Sequence, residues 1–389
     1  MIRKNLVIFT TCFCLAFSAA TCGEENNASD NASPEKARNV IFMVPDGMGL
    51  AYVTAARTYL GGPDGSPLAF ETLPVIGYQR THSADSFVTD SAAAASAWAC
   101  GEKFRNGEIC YHGADGSYPP SLVEMARDMG KATGLVATSR ITHATPAAFG
   151  AHVTHRDCEN LIATNMVSVS RPDVLFGGGA SHFDGSMADD SCGGSSDNLS
   201  AVLANGYEYV TTYGDLLATI DGGADRIIGL FTPSHMPAHM DLSEDLPTLA
   251  EMSTAALDIL EENDTGFFVL IEGSQIDWAG HANDLSFLLG EMTGFNEAVE
   301  AVKDWISGSP ERLSETLLVV VADHETGGFA INGPYLDQAG AGFPVEDGWT
   351  SAGHTAVDTI IWSQGPGSRA LAAALDNTDL YGIILDAMM

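Results

Sequence analysis

Positive charge is scarce in this chain. Over 389 residues it carries 17 Lys and Arg against 51 Asp and Glu, and only five of the 17 are Lys. The formal charge is -34 and the pI is near 4.3. Such a surface repels polyphosphate backbones and anionic membranes, which argues against a nucleic-acid-binding protein. It also repels small phosphate esters, so any phosphate chemistry needs a local positive centre, either a bound metal or a well-placed Arg. An acid-rich, Lys-poor surface fits a salt-adapted organism, where salt screens self-repulsion, and ordinary acidic drift gives the same composition. Cysteine is sparse too. None of the seven stands in a C-x-x-C pair, which argues against a thiolate zinc site or a dithiol redox motif. There is no G-x-S-x-G elbow of the common serine hydrolases. No apolar run after the first twenty or so residues is long enough to span a membrane, and neither an internal repeat nor a linker marks a second domain.

Hydrophobic residues make up 45% of the chain, enough for a sizeable core. At the N-terminus, Arg3 and Lys4 precede an apolar stretch over 6–20 that ends in Ser18-Ala19-Ala20, the pattern of a secretion signal with its cleavage site. Lipid attachment at Cys22 is the alternative, through a weak lipobox that lacks Leu. Residues 21–37 are polar and read as a flexible leader. Residues 38–389 read as one domain, with Gly-rich irregular insertions near 150–225 and 325–355. Export makes disulfides among Cys100, Cys110, Cys158 and Cys192 plausible. Sequence order favours Cys100–Cys110 and Cys158–Cys192 among three pairings.

Apolar runs over 39–44, 266–271 and 316–322 read as fully buried strands, with further strands at 133–138, 174–176 and 227–231. Helical patterns over 51–60, 92–99, 121–129, 249–260 and 285–305 alternate with them. The alternation predicts an α/β fold, a large and mostly parallel central sheet between helical layers. Ligands in such sheets sit at the carboxyl ends of strands. Three strands here end in an acid, Asp46, Glu272 and Asp323.

Four clusters carry the chemistry. Asp46 is followed by Gly47, so it can reach a metal from a tight turn. Ser91, after Asp90, opens the Ala-rich helix, where free N–H groups and the dipole favour a phosphate; a plain helix cap by either residue is the competing reading. Asp277 and His281 are four apart and share one helical face, near Glu272. Asp323 and His324 can both turn toward a metal if Gly327 and Gly328 let the chain bend. His354, flanked by small residues far downstream, reads by itself as a surface loop histidine. The histidines His235 and His239 are also four apart, but Pro237 breaks the face between them.

Together DGMG, VTDSAAAASAWACG, EGSQIDWAGHAND, ADHETGG and GHT, in that order, resemble the alkaline phosphatase family from about Val40 to the C-terminus. The resemblance implies a phosphate-monoester hydrolase with Ser91 as nucleophile and a phosphoserine intermediate. It implies two Zn2+ and one Mg2+. One zinc would take Asp277, His281 and His354, and the other Asp46, Asp323 and His324. Asp46 would bridge to magnesium, held also by Thr145 and Glu272. Arg156 matches the phosphate-binding arginine, and a homodimer is implied as well. Where some relatives carry Asp and Lys, this chain carries His143 and Trp278, as in some marine and cold-environment members; both are expected beside the substrate or just behind it. A phosphodiesterase of the same superfamily is the catalytic alternative, although those relatives usually use Thr where Ser91 stands. An exported, non-catalytic metal- or phosphate-binding protein is the other.

Overall fold

A computed structural model describes residues 36–188, 192–333, 340–342 and 346–389. The stretch read as a secretion signal, Cys22 and all but the last two residues of the expected leader lie outside them. Ala37, read as the last residue of that leader, is part of the fold. Ala37 is buried and donates its N–H to Ala387 O at 2.8 Å, because the C-terminal helix Asp379–Met388 packs under the start of the fold.

In chain order the strands are β1 (Asn39–Pro45), β2 (Val75–Arg80), β3 (Ala132–Arg140), β4 (Val174–Gly178), β5 (Glu208–Val210), β6 (Ile227–Leu230), β7 (Phe267–Gly273) and β8 (Thr316–Val321). The short β9 (Glu325–Thr326), β10 (Phe329–Gly333), β11 (Glu346–Trp349) and β12 (His354–Thr355) follow, then β13 (Thr359–Gln364) and β14 (Ala374–Asp376). Ten of these form one sheet in the order β14-β2-β13-β8-β1-β7-β3-β4-β6-β5. All pairings in it are parallel except those of β13, which runs antiparallel to β2 and β8. β10 pairs with β11 and β12 with β9 in two small sheets.

The strand alternation divides the core. Val40, Phe42 and Val44 face one layer, where Phe42 meets Trp98 edge-on with ring centroids 5.3 Å apart. Ile41 and Met43 face the other, among Tyr52, Leu288, Met292 and Phe295. Burying one such side chain contributes about 2 kcal/mol. All ten residues of the helix Ser91–Cys100 are buried, six of them Ala. Small residues let this helix lie close against the helix Ala144–Gly150, and that contact fixes where its N-terminus points.

The segment 150–225 is not irregular, as its sequence suggests. It holds the helices Glu159–Asn165, Leu199–Ala204 and Tyr213–Asp221, and β4 and β5 extend the main sheet. Beyond the strand read at 174–176, its apolar runs are too short and too often broken by Gly to read as elements by periodicity. The 325–355 segment likewise holds four short strands. The structure pairs Cys100 with Cys110 and Cys158 with Cys192.

Candidate active site

The four central strands deliver the site. In the parallel registers Val44 stands opposite Glu272 and Ala137 opposite Glu272, while Met43 stands opposite Val320. The carboxyl ends of β1, β7, β8 and β3 therefore open at one edge. Asp46 leaves β1 there, and Gly47 turns the chain with φ +76. A Cβ on Gly47 would lie 2.7 Å from the Asp277 Cα, so only glycine lets the two segments approach. Asp323 follows β8 and accepts the Gly47 N–H at 3.0 Å. Gly327 and Gly328 both take positive φ, and the bend lets β9 pair with β12 so that His354 stands opposite Thr326. A two-residue ladder thus carries the lone downstream histidine to the site.

Two clusters result. Ligand atoms of Asp277, His281 and His354 lie within 4.8 Å of one another, and so do those of Asp46, Asp323 and His324. Tautomers in the first follow from its hydrogen bonds. His281 donates Nδ1–H to Ala352 O at 2.7 Å, and His354 donates Nδ1–H to Thr89 O at 2.8 Å. Their Nε2 lone pairs therefore face each other across 3.1 Å, with the Asp277 carboxylate 3.3 Å from one and 3.5 Å from the other. Converging lone pairs and a carboxylate need a cation between them. Without one the demand falls on a proton: Asp277 raises His281 to about 9. Burial pushes Asp277 up, but the three histidines around it hold its carboxyl below the usual range.

In the second cluster, Thr326 Oγ1 donates to Asp277 and so accepts from His324 Nδ1, 3.3 Å away. His324 Nε2 then faces Ser91 Oγ at 3.2 Å, Asp323 Oδ2 at 3.0 Å and Asp46 Oδ1 at 3.6 Å. Both Asp46 oxygens, Thr145 Oγ1 and Glu272 Oε1 are buried without a hydrogen-bond partner. Burial, and then the carboxylates of Asp323, Asp277 and Glu272, raise Asp46 well above the ordinary range; burial lifts Glu272 to about 7. So many buried oxygens with nothing to donate to them suit metal ions, with His and carboxylate donors for zinc and an all-oxygen set at Thr145, Glu272 and Asp46 for magnesium. The residues present fit these metals.

Ser91 is the first residue of its helix, and the cap is Asp90. One Asp90 oxygen accepts the Ala93 N–H at 2.9 Å. The other accepts the Gly107 N–H at 3.0 Å and pairs with Arg156 Nη1 at 3.1 Å. Capping and holding the arginine are thus two tasks of one carboxylate. Arg156 Nη2 donates to His143 Nε2 at 3.2 Å. Desolvation, with Arg156 alongside, pushes His143 down to about 3, so its ring is neutral and Nδ1 carries the proton.

Trp278 stands edge-on to His143, with ring centroids 6.0 Å apart, and to His235 at 4.3 Å. His235 therefore belongs to the wall behind the site, outside both metal clusters. His239 lies apart from it, against Glu291. No spacing in the sequence marks Arg140, which holds His235 across 95 residues, nor Glu159, which holds Arg140 across 19.

A mostly parallel sheet that brings a helix-start serine, an arginine and two His-carboxylate clusters to one edge defines a metal-dependent phosphohydrolase. The chain belongs to the alkaline phosphatase family, whose profile matches residues 37–341, and it is an enzyme of that kind. It is 32% identical to alkaline phosphatase 3 of Bacillus subtilis over 99% of this chain and 97% of that one. It is 32% identical to the streptomycin-6-phosphate phosphatase of Streptomyces griseus over 95% and 94%. Among solved structures, the alkaline phosphatase of the Antarctic bacterium TAB5 superposes with a TM-score of 0.79 at 29% identity, covering 91% of this chain and 98% of that one. A variant of the TAB5 enzyme with Mg bound in its M3 site scores 0.80, also at 29% identity, with 91% and 99% covered.

Proposed function

We propose that the protein hydrolyses small phosphate monoesters to alcohol and inorganic phosphate through a phosphoserine at Ser91. The observation that carries this reading is the placement of Ser91 Oγ, 3.2 Å from His324 Nε2, at a helix N-terminus that Asp90 links to Arg156. Asp277, His281 and His354 would hold one zinc, Asp46, Asp323 and His324 the other, and Asp46, Thr145 and Glu272 a magnesium. The M3 magnesium of the TAB5 variant supports a third site of this kind. Bound there, the metals would supply a nucleophile active at neutral pH and would neutralise charge on the attacking and leaving oxygens.

The chain's own residues do the rest. Arg156 offers a planar fork to two non-bridging oxygens of the phosphoryl group, and Asp90 and His143 keep that fork in place. The helix N-terminus adds favourable potential for the anion. Ser91 Oγ bonds to phosphorus as the ester P–O bond breaks, and the alcohol leaves with a proton. Water then bonds to phosphorus, the P–Oγ bond breaks and Ser91 regains its proton.

Export to the periplasm or beyond belongs to this reading, supported by the N-terminal pattern and the two disulfides. None of the described helices is long and apolar enough to cross a membrane. A homodimer is proposed from the family resemblance alone. Turnover of a chromogenic phosphate monoester, lost in Ser91→Ala and after chelation, tests the function. Full activity in Ser91→Ala would overturn it, and a strong preference for diesters would move the reading to a phosphodiesterase.

A further inference from the structure

Three chain segments must stay in register for Arg156 to meet a phosphate. The first is the turn that carries Arg156 itself. The second is the end of β3 with the helix after it, which brings His143 and Thr145. The third is the Glu272–His281 stretch with Trp278. The backbones of β3 and β7 pair, with Ala137 opposite Glu272, but the turn that carries Arg156 lies outside that ladder and side chains tie it in. Glu159, at the start of the helix after the Arg156 turn, takes a two-pronged contact from Arg140 at the end of β3, with Nε at 2.7 Å and Nη2 at 2.6 Å. It also accepts from Thr142 Oγ1 at 2.7 Å. His182 Nε2 stands 3.3 Å from the same carboxylate, and its Nδ1 meets Asn160 Oδ1 at 2.7 Å. The pair is mostly enclosed, with side-chain exposures of 22% for Arg140 and 15% for Glu159. Burial raises the Glu159 carboxyl, but Arg140 outweighs it and keeps the group ionised.

Arg140 then reaches the third segment. Its backbone N–H donates to His235 Nδ1 at 3.1 Å and its Nη1 lies against His235 Nε2. The His235 ring packs on Trp278, and Trp278 and His235 both stand edge-on to His143, which accepts from Arg156. Two routes therefore run from Glu159 to Arg156. One is the short turn between them, closed by the Cys158 N–H bond to His155 O at 3.0 Å. The other passes through Arg140, His235, Trp278 and His143.

We propose that Glu159 and Arg140 form a positioning clamp that sets the phosphate-binding geometry of Arg156. Neither residue touches the phosphate. The clamp rests on the phosphatase reading, because it is Arg156 as the phosphate ligand that it serves. Its role is to staple the Arg156 turn to the β3 end by three charge-assisted bonds and to brace the aromatic wall against which His143 is held. A guanidinium that must meet two oxygens at once is sensitive to displacements well under 1 Å, so loosening the staple weakens phosphate binding before it affects the nucleophile.

The test measures binding of inorganic phosphate to the metal-loaded protein by calorimetry, with KM and kcat on a phosphate monoester. Near-UV circular dichroism and metal content confirm the fold. Glu159→Gln and Arg140→Lys are each expected to raise the phosphate Kd and KM about tenfold, with kcat changed by less than about threefold. In an Arg156→Ala background Glu159→Gln should add less than about a twofold loss, since both act through one group. A folded Glu159→Gln protein whose phosphate Kd stays within about twofold of the parent overturns the clamp, and so does a full additive loss in the Arg156→Ala background. If Glu159→Gln does not fold, Thr142→Val removes one of the three bonds and spares the ion pair. It is then expected to raise Kd about threefold and is judged by the same cycle. The two levels fail differently. If Arg156→Ala itself leaves phosphate binding unchanged, Arg156 is not the phosphate ligand, and that part of the proposed function fails together with the clamp. If Arg156→Ala weakens it and the clamp variants do not, only the clamp fails.

Discussion

His354 donates its Nδ1–H to the carbonyl oxygen of Thr89, 2.8 Å away and two residues before Ser91. One bond thus joins a proposed metal ligand to the loop that presents the proposed nucleophile, and it leaves Nε2 as the free donor. Replacing the ring removes both the ligand and the tie. His354→Ala is expected to lose one equivalent of zinc by mass spectrometry and to lower kcat/KM by at least about a hundredfold. Unchanged zinc content would remove His354 from the ligand set.

Thr326 links the two clusters through one hydroxyl, donating to Asp277 and accepting from His324 Nδ1. Thr326→Val keeps the shape and deletes both bonds, so the His324 tautomer and the Asp277 orientation are released together. Zinc affinity or activity should fall about 10- to 100-fold, and Thr326→Ser should restore most of it. A Val variant that holds its zinc as tightly as the parent would show that Thr326 only fills space.

Much of this site can be read in the sequence, for a reason that lies in the sheet. β1, β7 and β8 are buried on both faces, so they appear as unbroken apolar runs, and the acids that end them stand out. The helix starting at Ser91 is equally plain. What local pattern hides is whatever depends on pairing distant segments. The lone His354 reads as a loop residue because the two-residue ladder that places it against Thr326 leaves no periodicity. β13 slots antiparallel between β2 and β8 after a long Gly-rich stretch, and nothing in six residues announces its partners. Arg140 and Glu159 are found only by contact, since an ion pair across 19 residues has no spacing rule, and the spacing of His235 to His239 does not point to its neighbours Arg140 and Trp278.

Glu291 gives the protein a pH dependence unconnected to the metals. Burial raises its carboxyl to about 7, with Asp241 adding to the effect, while one oxygen accepts the His239 N–H at 2.6 Å. A carboxyl raised on folding contributes stability that is fully present below its unfolded value, near 4.5, and lost as pH rises through about 7. Glu291→Gln keeps the acceptor and removes the charge. Urea titrations from pH 5 to 9 should show the variant gaining on the parent through this range, by up to about 3 kcal/mol at the alkaline end. Equal pH profiles for the two proteins would contradict the shift.

Asp46 offers the sharpest contrast between stability and activity. Both its oxygens are buried without partners beside Asp323, Asp277 and Glu272, and this setting raises its carboxyl well above the ordinary range, so in the metal-free protein its ionisation is costly. Asp46→Asn removes the ionisable group and supplies an N–H2 that can donate to a neighbouring carboxylate. The chelated variant should therefore unfold at a higher temperature than the chelated parent, by relief on the order of 1–3 kcal/mol, the cost of a buried polar group left unpaired. With zinc and magnesium restored the order should reverse. Metals that bind the folded parent would add stability, about 2.7 kcal/mol at a hundredfold excess over Kd, and the variant would lack the carboxylate proposed to be shared by two of them. Calorimetric scans of both proteins with and without chelator check this, and a variant less stable than the parent in both conditions would mean that the Asp46 carboxylate finds its compensation within the protein.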